Sequence, residues 1–144
     1  CAPSPGGDEG RLNMDAAGHA AALWVGLHLI LLLVLSLLVV RQRQRHKVAL
    51  GDGGVPELAQ AIRAFGNATE YVPAAMIGIA VLALVQAPPL AIHLTGVLLF
   101  AGRLLHGFGL SRSGGSSFAR SIGVTLTWLA YVFASAALLF YAIT

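Results

Sequence analysis

From Gly18 to Val40 the chain is apolar except at His19, His28 and Ser36. A helix rising about 1.5 Å per residue needs roughly 20 such residues to cross a hydrocarbon core about 30 Å thick, so this block predicts a first membrane span. The run RQRQRHK, Arg41 to Lys47, cannot enter hydrocarbon and stops it, and the flexible turn Gly51-Asp52-Gly53-Gly54 follows. Val55-Pro56-Glu57 predicts the start of a second span, because proline at the head of a helix forfeits no needed N–H. That span extends to about Gln86, with its first two turns outside the hydrocarbon. Pro88-Pro89 breaks the chain in a short uncharged turn, and a third span is expected from Leu90 to about Leu110. After a Ser/Gly/Arg loop, Ser111 to Ser117, a fourth span is expected from about Phe118 to Ile143, carrying Trp128, Tyr131 and Tyr141.

Composition fits this pattern and narrows it. Of 144 residues, 57% are hydrophobic and 10% charged, with a mean hydropathy of +0.79. A soluble domain carries about 25% charged residues, so this chain cannot wet a globular surface. Four crossings use nearly all of it and leave no room for a separate soluble domain. The 17 glycines follow no collagen period and, within apolar runs, suit close helix contact. Cys1 is the single cysteine, which excludes an internal disulfide and a cysteine-based metal cage. Residues 1–13, a Pro/Gly/acidic stretch without periodicity, read as a disordered tail, either an expression remnant or an overlong start ahead of Met14; a lipid-modified Cys1 is the alternative. The domain proper is expected over 14–144.

Lys and Arg number four in Arg41–Lys47 and two at Arg112 and Arg120, against Arg11 alone before the first span and none in the Gln86–Pro89 turn. The positive-inside rule therefore predicts both basic loops in the cytoplasm and both termini outside. The basic run reads as a stop-transfer signal and a contact for anionic lipid. It has no interleaved aromatics to stack on bases, so nucleic acid is not expected as a partner.

The second span is interrupted by Arg63, Asn67 and Glu70, spaced by four and three and hence on one helix face, with Tyr71 four beyond Asn67. A charge at membrane depth costs about 2.5–3.5 kcal/mol on insertion scales, so this stripe must face protein or a wet cavity. Arg63 and Glu70 lie about 10.5 Å apart along the axis, too far for a direct pair. From chemistry alone two readings stand. The stripe binds a ligand, or it pairs with a neighbouring subunit and packs helices together.

The pattern RxxxNxxEYxP, Arg63 to Pro73, resembles the second span of the MAPEG family, the membrane-associated proteins of eicosanoid and glutathione metabolism. Gly102-Arg103-Leu104-Leu105-His106 is similar to the family's GRxxH segment, and four-span topology and chain length agree. The resemblance covers about Gly18 to Thr144. It implies an all-α integral membrane four-helix bundle, assembled as a homotrimer, with glutathione between subunits at the cytoplasmic end. It further implies that Arg63 binds a glutathione carboxylate, that Asn67 and Glu70 take its peptide and amino groups, that Tyr71 lines the pocket, and that Arg103 and His106 belong to the same site, Arg103 as a pocket or structural arginine and a candidate partner for Glu70 in the assembled bundle. A tripeptide with two carboxylates and an ammonium suits a guanidinium, an amide and an acid along one stripe.

Arg120-Ser121 looks like the family's thiol-activating Arg-Ser pair, once one residue is inserted in the preceding loop, which makes Arg120 the candidate catalytic residue; an interfacial anchor is the alternative. Where several family enzymes carry a tyrosine at the end of the third span, this chain has Leu110. The activity implied is glutathione-dependent transfer to, or peroxide reduction of, a lipophilic electrophile in a bacterial inner membrane. The alternatives are a non-enzymatic lipid-binding or structural member and, behind it, a small multidrug transporter using Glu70, for which the first span lacks an acidic residue.

His28 and His93 are expected about 15 and 5 Å deep, at levels that do not match, and no helix carries an HxxxH pair. Hydrogen-bonded histidines are therefore expected rather than a haem or metal site. Ala74 and Gly78 read as packing surface. No serine nucleophile motif, P-loop or dinucleotide fingerprint occurs.

Overall fold

The computed structural model describes the backbone of residues 5–112 and 118–143, with side chains described for 15–110 and 118–143. Four helices follow one another, α1 (Pro5–His46), α2 (Pro56–Leu84), α3 (Pro89–Arg112) and α4 (Phe118–Ile143). Each is long and apolar enough to cross a bilayer. The sequence boundaries agree within a few residues for α2, α3 and α4, while α1 is longer at both ends than the apolar block that predicts it. It takes in 5–13, read above as an aperiodic tail, and it continues through the basic run to His46. Hydropathy marks where the hydrocarbon ends; a helix can go on into water. Cys1 and positions 113–117 of the Ser111–Ser117 loop lie outside the described residues, as do the side chains of Arg11 and Arg112.

The turns are made by residues with left-handed backbone. Gln86 (φ 59) turns the chain in the α2–α3 connection, and Gly51 and Gly54 (φ 66 and 72) shape the α1–α2 loop. Asp52 accepts the Gly54 N–H at 3.0 Å, and Arg43 reaches over from α1 to the carbonyls of Ala49 (3.3 Å) and Gly51 (2.9 Å). One of the run's cations thus staples the loop.

Among the described residues α1 packs on α2 and α3, and α4 packs on α2 and α3, but α1 and α4 do not meet. The central pair α2 and α3 therefore holds the core. One apolar cluster, with Ala17, Ala20, Ile79, Leu82 and Ile92, fills one end, and another, with Leu31, Leu35, Ala64, Ala68 and Leu110, fills the end near the basic run. Between them Ala75, Leu99 and Ala130 join α2, α3 and α4. Gly102 on α3 faces Gly123 on α4, where a Cβ on Gly123 would stand 2.6 Å from the His106 nitrogen and 2.7 Å from the Gly102 oxygen. Glycine is required there because backbone meets backbone.

Candidate functional site

Among the described residues one arginine is buried. Arg103, on α3, is 3% exposed. Its Nη1 donates to Asn67 Oδ1 on α2 at 2.7 Å and its Nη2 to Thr127 Oγ1 on α4 at 2.6 Å. The guanidinium carbon sits 5.1 Å from the centre of the Tyr71 ring, within cation–π range. Its Nε is buried without a partner. No carboxylate pairs with it among the described residues, so a full positive charge is held at the centre of the bundle by a carboxamide, a hydroxyl and a ring face.

Each partner is fixed by its own helix. Thr127 hands its hydroxyl proton to the Gly123 carbonyl one turn back, at 2.9 Å, which leaves its lone pairs for Arg103. Tyr131, one turn further along α4, donates its hydroxyl to the Tyr71 carbonyl and meets the Tyr71 ring edge to face at 6.1 Å. Arg103 also lies one turn before His106, which is 6% exposed. On α4, Gly123, one turn after Arg120, packs against the His106 backbone. Arg120 is half-buried in the first turn of α4.

The stripe on α2 is split by this arrangement. The buried residues Ala64, Ala68, Val72, Ala75 and Ile79 define the face turned to the bundle. Asn67 and Tyr71 stand at its margin, half-buried, whereas Arg63 and Glu70 project from the opposite side and are exposed. At about 100° per residue their shared azimuth is roughly opposite the buried line. The expected Arg103–Glu70 pairing is accordingly absent from the described residues of one protomer, since Arg103 is engaged inward and Glu70 points outward. Pro73, one turn after Thr69, takes away that residue's helical N–H donor on the same exposed side.

The structure thus brings together Asn67, Tyr71, Arg103 and, beside them, His106 and Arg120, and leaves Arg63 and Glu70 facing away from the protomer's own core. Thr127 and Tyr131 belong to the cluster as well, although hydropathy marks Tyr131 only as an aromatic of the fourth span and Thr127 not at all. They are spaced by four with Gly123 before them, the same face-sharing signal that marked α2.

The histidines His28 and His93 form a separate column. Trp24 donates its indole N–H to His93 Nδ1 at 3.0 Å, and the fully buried His28 donates Nδ1–H to the Trp24 carbonyl at 2.7 Å. His28 meets Phe100 edge to face at 5.3 Å. Leu110 is 6% exposed in the apolar cluster with Ala64 and Leu31.

The MAPEG family model matches residues 21–140. The inner membrane protein YecN of Escherichia coli, from the K12 laboratory strain and from an O6:H1 strain, is 38% identical over 122 residues, which cover 84% of this chain and 91% of that protein. With four membrane-length helices and a match that takes in both signature segments, this chain belongs to the MAPEG family.

Proposed function

We propose that the protein is a membrane-bound glutathione-dependent transferase or peroxidase acting on lipophilic electrophiles. The observation that carries this reading is the unneutralised Arg103 in an inward polar cluster on one side of α2, with Arg63 and Glu70 exposed on the other. A cation and an acid on the outer face of a spanning helix cost too much in lipid to be left there, so a second copy covers them, and the family's homotrimer supplies it. Glutathione then lies in the seam between protomers. Arg63 takes a carboxylate, Glu70 the ammonium, and Asn67, whose carbonyl oxygen is already held by Arg103, offers its N–H₂ to a peptide carbonyl.

In this reading Arg103 is a positioning residue. It locks the Asn67 amide and the Tyr71 ring, with Thr127 and Tyr131 bracing them, and its charge raises the positive potential of the cluster without touching the tripeptide. Arg120 is the group that holds the thiolate in this reading. The lipophilic electrophile arrives through the membrane and the thiol from the cytoplasm. The basic end of the bundle, with Arg41–Lys47, faces that side of an inner membrane, and both termini lie on the other.

A non-enzymatic structural or lipid-binding role is the second reading, favoured by Leu110 closing the apolar cluster and by an Asn67 that already serves helix packing. Thermal stability in detergent separates the two. Millimolar glutathione raises Tm if the first reading holds, and the rise disappears in Arg63→Ala and Glu70→Gln. No shift at that concentration would leave the structural reading in possession.

A further inference from the structure

At the basic end of the bundle, between α1, α2 and α3, lies an open cavity of about 170 Å³ on the side of α2 away from Arg63 and Glu70. Its walls include Leu35, Leu38 and Ala64, and its polar lining is Gln42, Glu57 and Gln60. Gln42 stands seven residues, about 10.5 Å, beyond Leu35 toward the end of α1, and Glu57 and Gln60 open α2 before Ala64. The lining is therefore graded, apolar toward the middle of the bundle and polar toward its end. An occupant lies along the helices with its head at the interface.

Two acceptors at the polar end stand without partners among the described residues. The Gln42 Oε1 is buried with no donor. Glu57 has no ion-pair partner among the described residues, although Arg41, Arg43, Arg45 and Lys47 stand in the adjoining segment. Arg43 is turned away to the Ala49 and Gly51 carbonyls. A carboxylate and an orphaned amide oxygen over an apolar floor call for a head that brings both positive charge and N–H donors. An anion meets Glu57 as a like charge. A quaternary ammonium satisfies the charge but has no hydrogen for Gln42.

We propose that this cavity is a binding site for amphiphiles with a primary ammonium head and a short apolar stem, from either a free lipophilic amine or the headgroup of an aminophospholipid. The site does not depend on the glutathione reading, since it shares none of the residues assigned there.

The test uses the full-length protein in phosphatidylcholine nanodiscs, titrated with n-hexylammonium and followed by thermal stability. Saturable stabilisation is expected, with weaker responses to hexyltrimethylammonium and to hexanoate. Glu57 is exposed at a helix start, so Glu57→Gln folds normally, and it weakens hexylammonium binding about tenfold or more, as loss of a charged hydrogen bond should. Gln42→Leu, which removes the orphan oxygen, narrows the preference of primary over quaternary ammonium. Adding phosphatidylethanolamine to the discs distinguishes the sources. Competition identifies the lipid headgroup as the occupant, and undiminished hexylammonium binding identifies a free amine. Equal responses to hexylammonium and hexanoate, or a hexylammonium response that survives both substitutions unchanged, would overturn the proposal. Glutathione-induced stabilisation measured on the same Glu57→Gln protein remains intact, so failure here and failure of the enzymatic reading are read separately.

Discussion

Arg103 and Asn67, thirty-six positions apart in sequence, share a 2.7 Å hydrogen bond that ties α3 to α2 at the centre of the bundle. Thr127 extends the tie to α4, so three helices converge on one guanidinium. Removing a partner of a buried charge strands that charge, whereas removing the charge itself relieves the demand. Asn67→Leu is expected to cost about 1.5–3 kcal/mol, the range for a hydrogen bond to a charged group, and Thr127→Val a similar amount. Arg103→Met placed on the Asn67→Leu background should recover part of that loss. Denaturation in detergent reads all three, and a double variant less stable than Asn67→Leu alone would contradict the account.

The Gly102–Gly123 crossing gives a second expectation. A methyl on Gly123 meets backbone on two sides, at 2.6 and 2.7 Å, and no flexible side chain can give way. Gly123→Ala should therefore lower stability by about 1–3 kcal/mol, the usual cost of overpacking. Gly26, on α1, has open space around its Cβ position. Gly26→Ala should be neutral or stabilising by up to about 1 kcal/mol through helix propensity. A pair of melting curves compares them directly.

The sequence makes the four spans legible because a membrane crossing needs a long apolar block and little else, and Phe118–Ile143 is found at the very residues expected. What hydropathy misses is the far end of α1, where Arg41 to His46 stay helical after leaving the apolar stretch. Arg63, Asn67, Glu70 and Tyr71 stand out because charge in hydrocarbon is rare. Which of them face the protomer's own core is not contained in a spacing of four and three, since periodicity fixes a shared face but not what that face meets. Thr127 escapes for another reason. A hydroxyl that can return its proton to the carbonyl one turn back is cheap in a membrane helix, so it leaves no mark in a hydropathy profile even when, as here, it also supports a buried arginine.

The outward pair Arg63 and Glu70 leads to an expectation about assembly. Each charge, left facing lipid, would cost about 2.5–3.5 kcal/mol, and the two lie about 10.5 Å apart on one face, too far to neutralise each other. Light scattering coupled to size exclusion in mild detergent should find a particle larger than one 14.9 kDa chain. Arg63→Leu with Glu70→Leu removes the charges and should lower glutathione-induced stabilisation to nothing while the helical content is kept. A monodisperse single chain in every mild detergent would remove the need for a covering subunit.

The last expectation concerns Arg120 and pH. A free thiol ionises near pH 8.5, so at pH 7 only about 3% of it is thiolate. If the Arg120 guanidinium favours the ionised form enough to bring bound glutathione down by about two units, an interaction of about 2.7 kcal/mol, roughly three quarters is ionised at pH 7. The depressed value gives the sign. The advantage of the arginine is full only below the depressed value and fades as pH rises from there through the free thiol's ionisation, because the unassisted thiol then ionises by itself. Conjugation of an aryl halide by Arg120→Ala should therefore fall about 25-fold at pH 7 and less than about twofold at pH 9. Glutathione-dependent stabilisation, set by Arg63 and Glu70, should persist in that variant. An activity loss that is equal at both pH values would mean that Arg120 holds the site together without acting on the sulfur, and activity unchanged at either pH would remove it from the chemistry altogether.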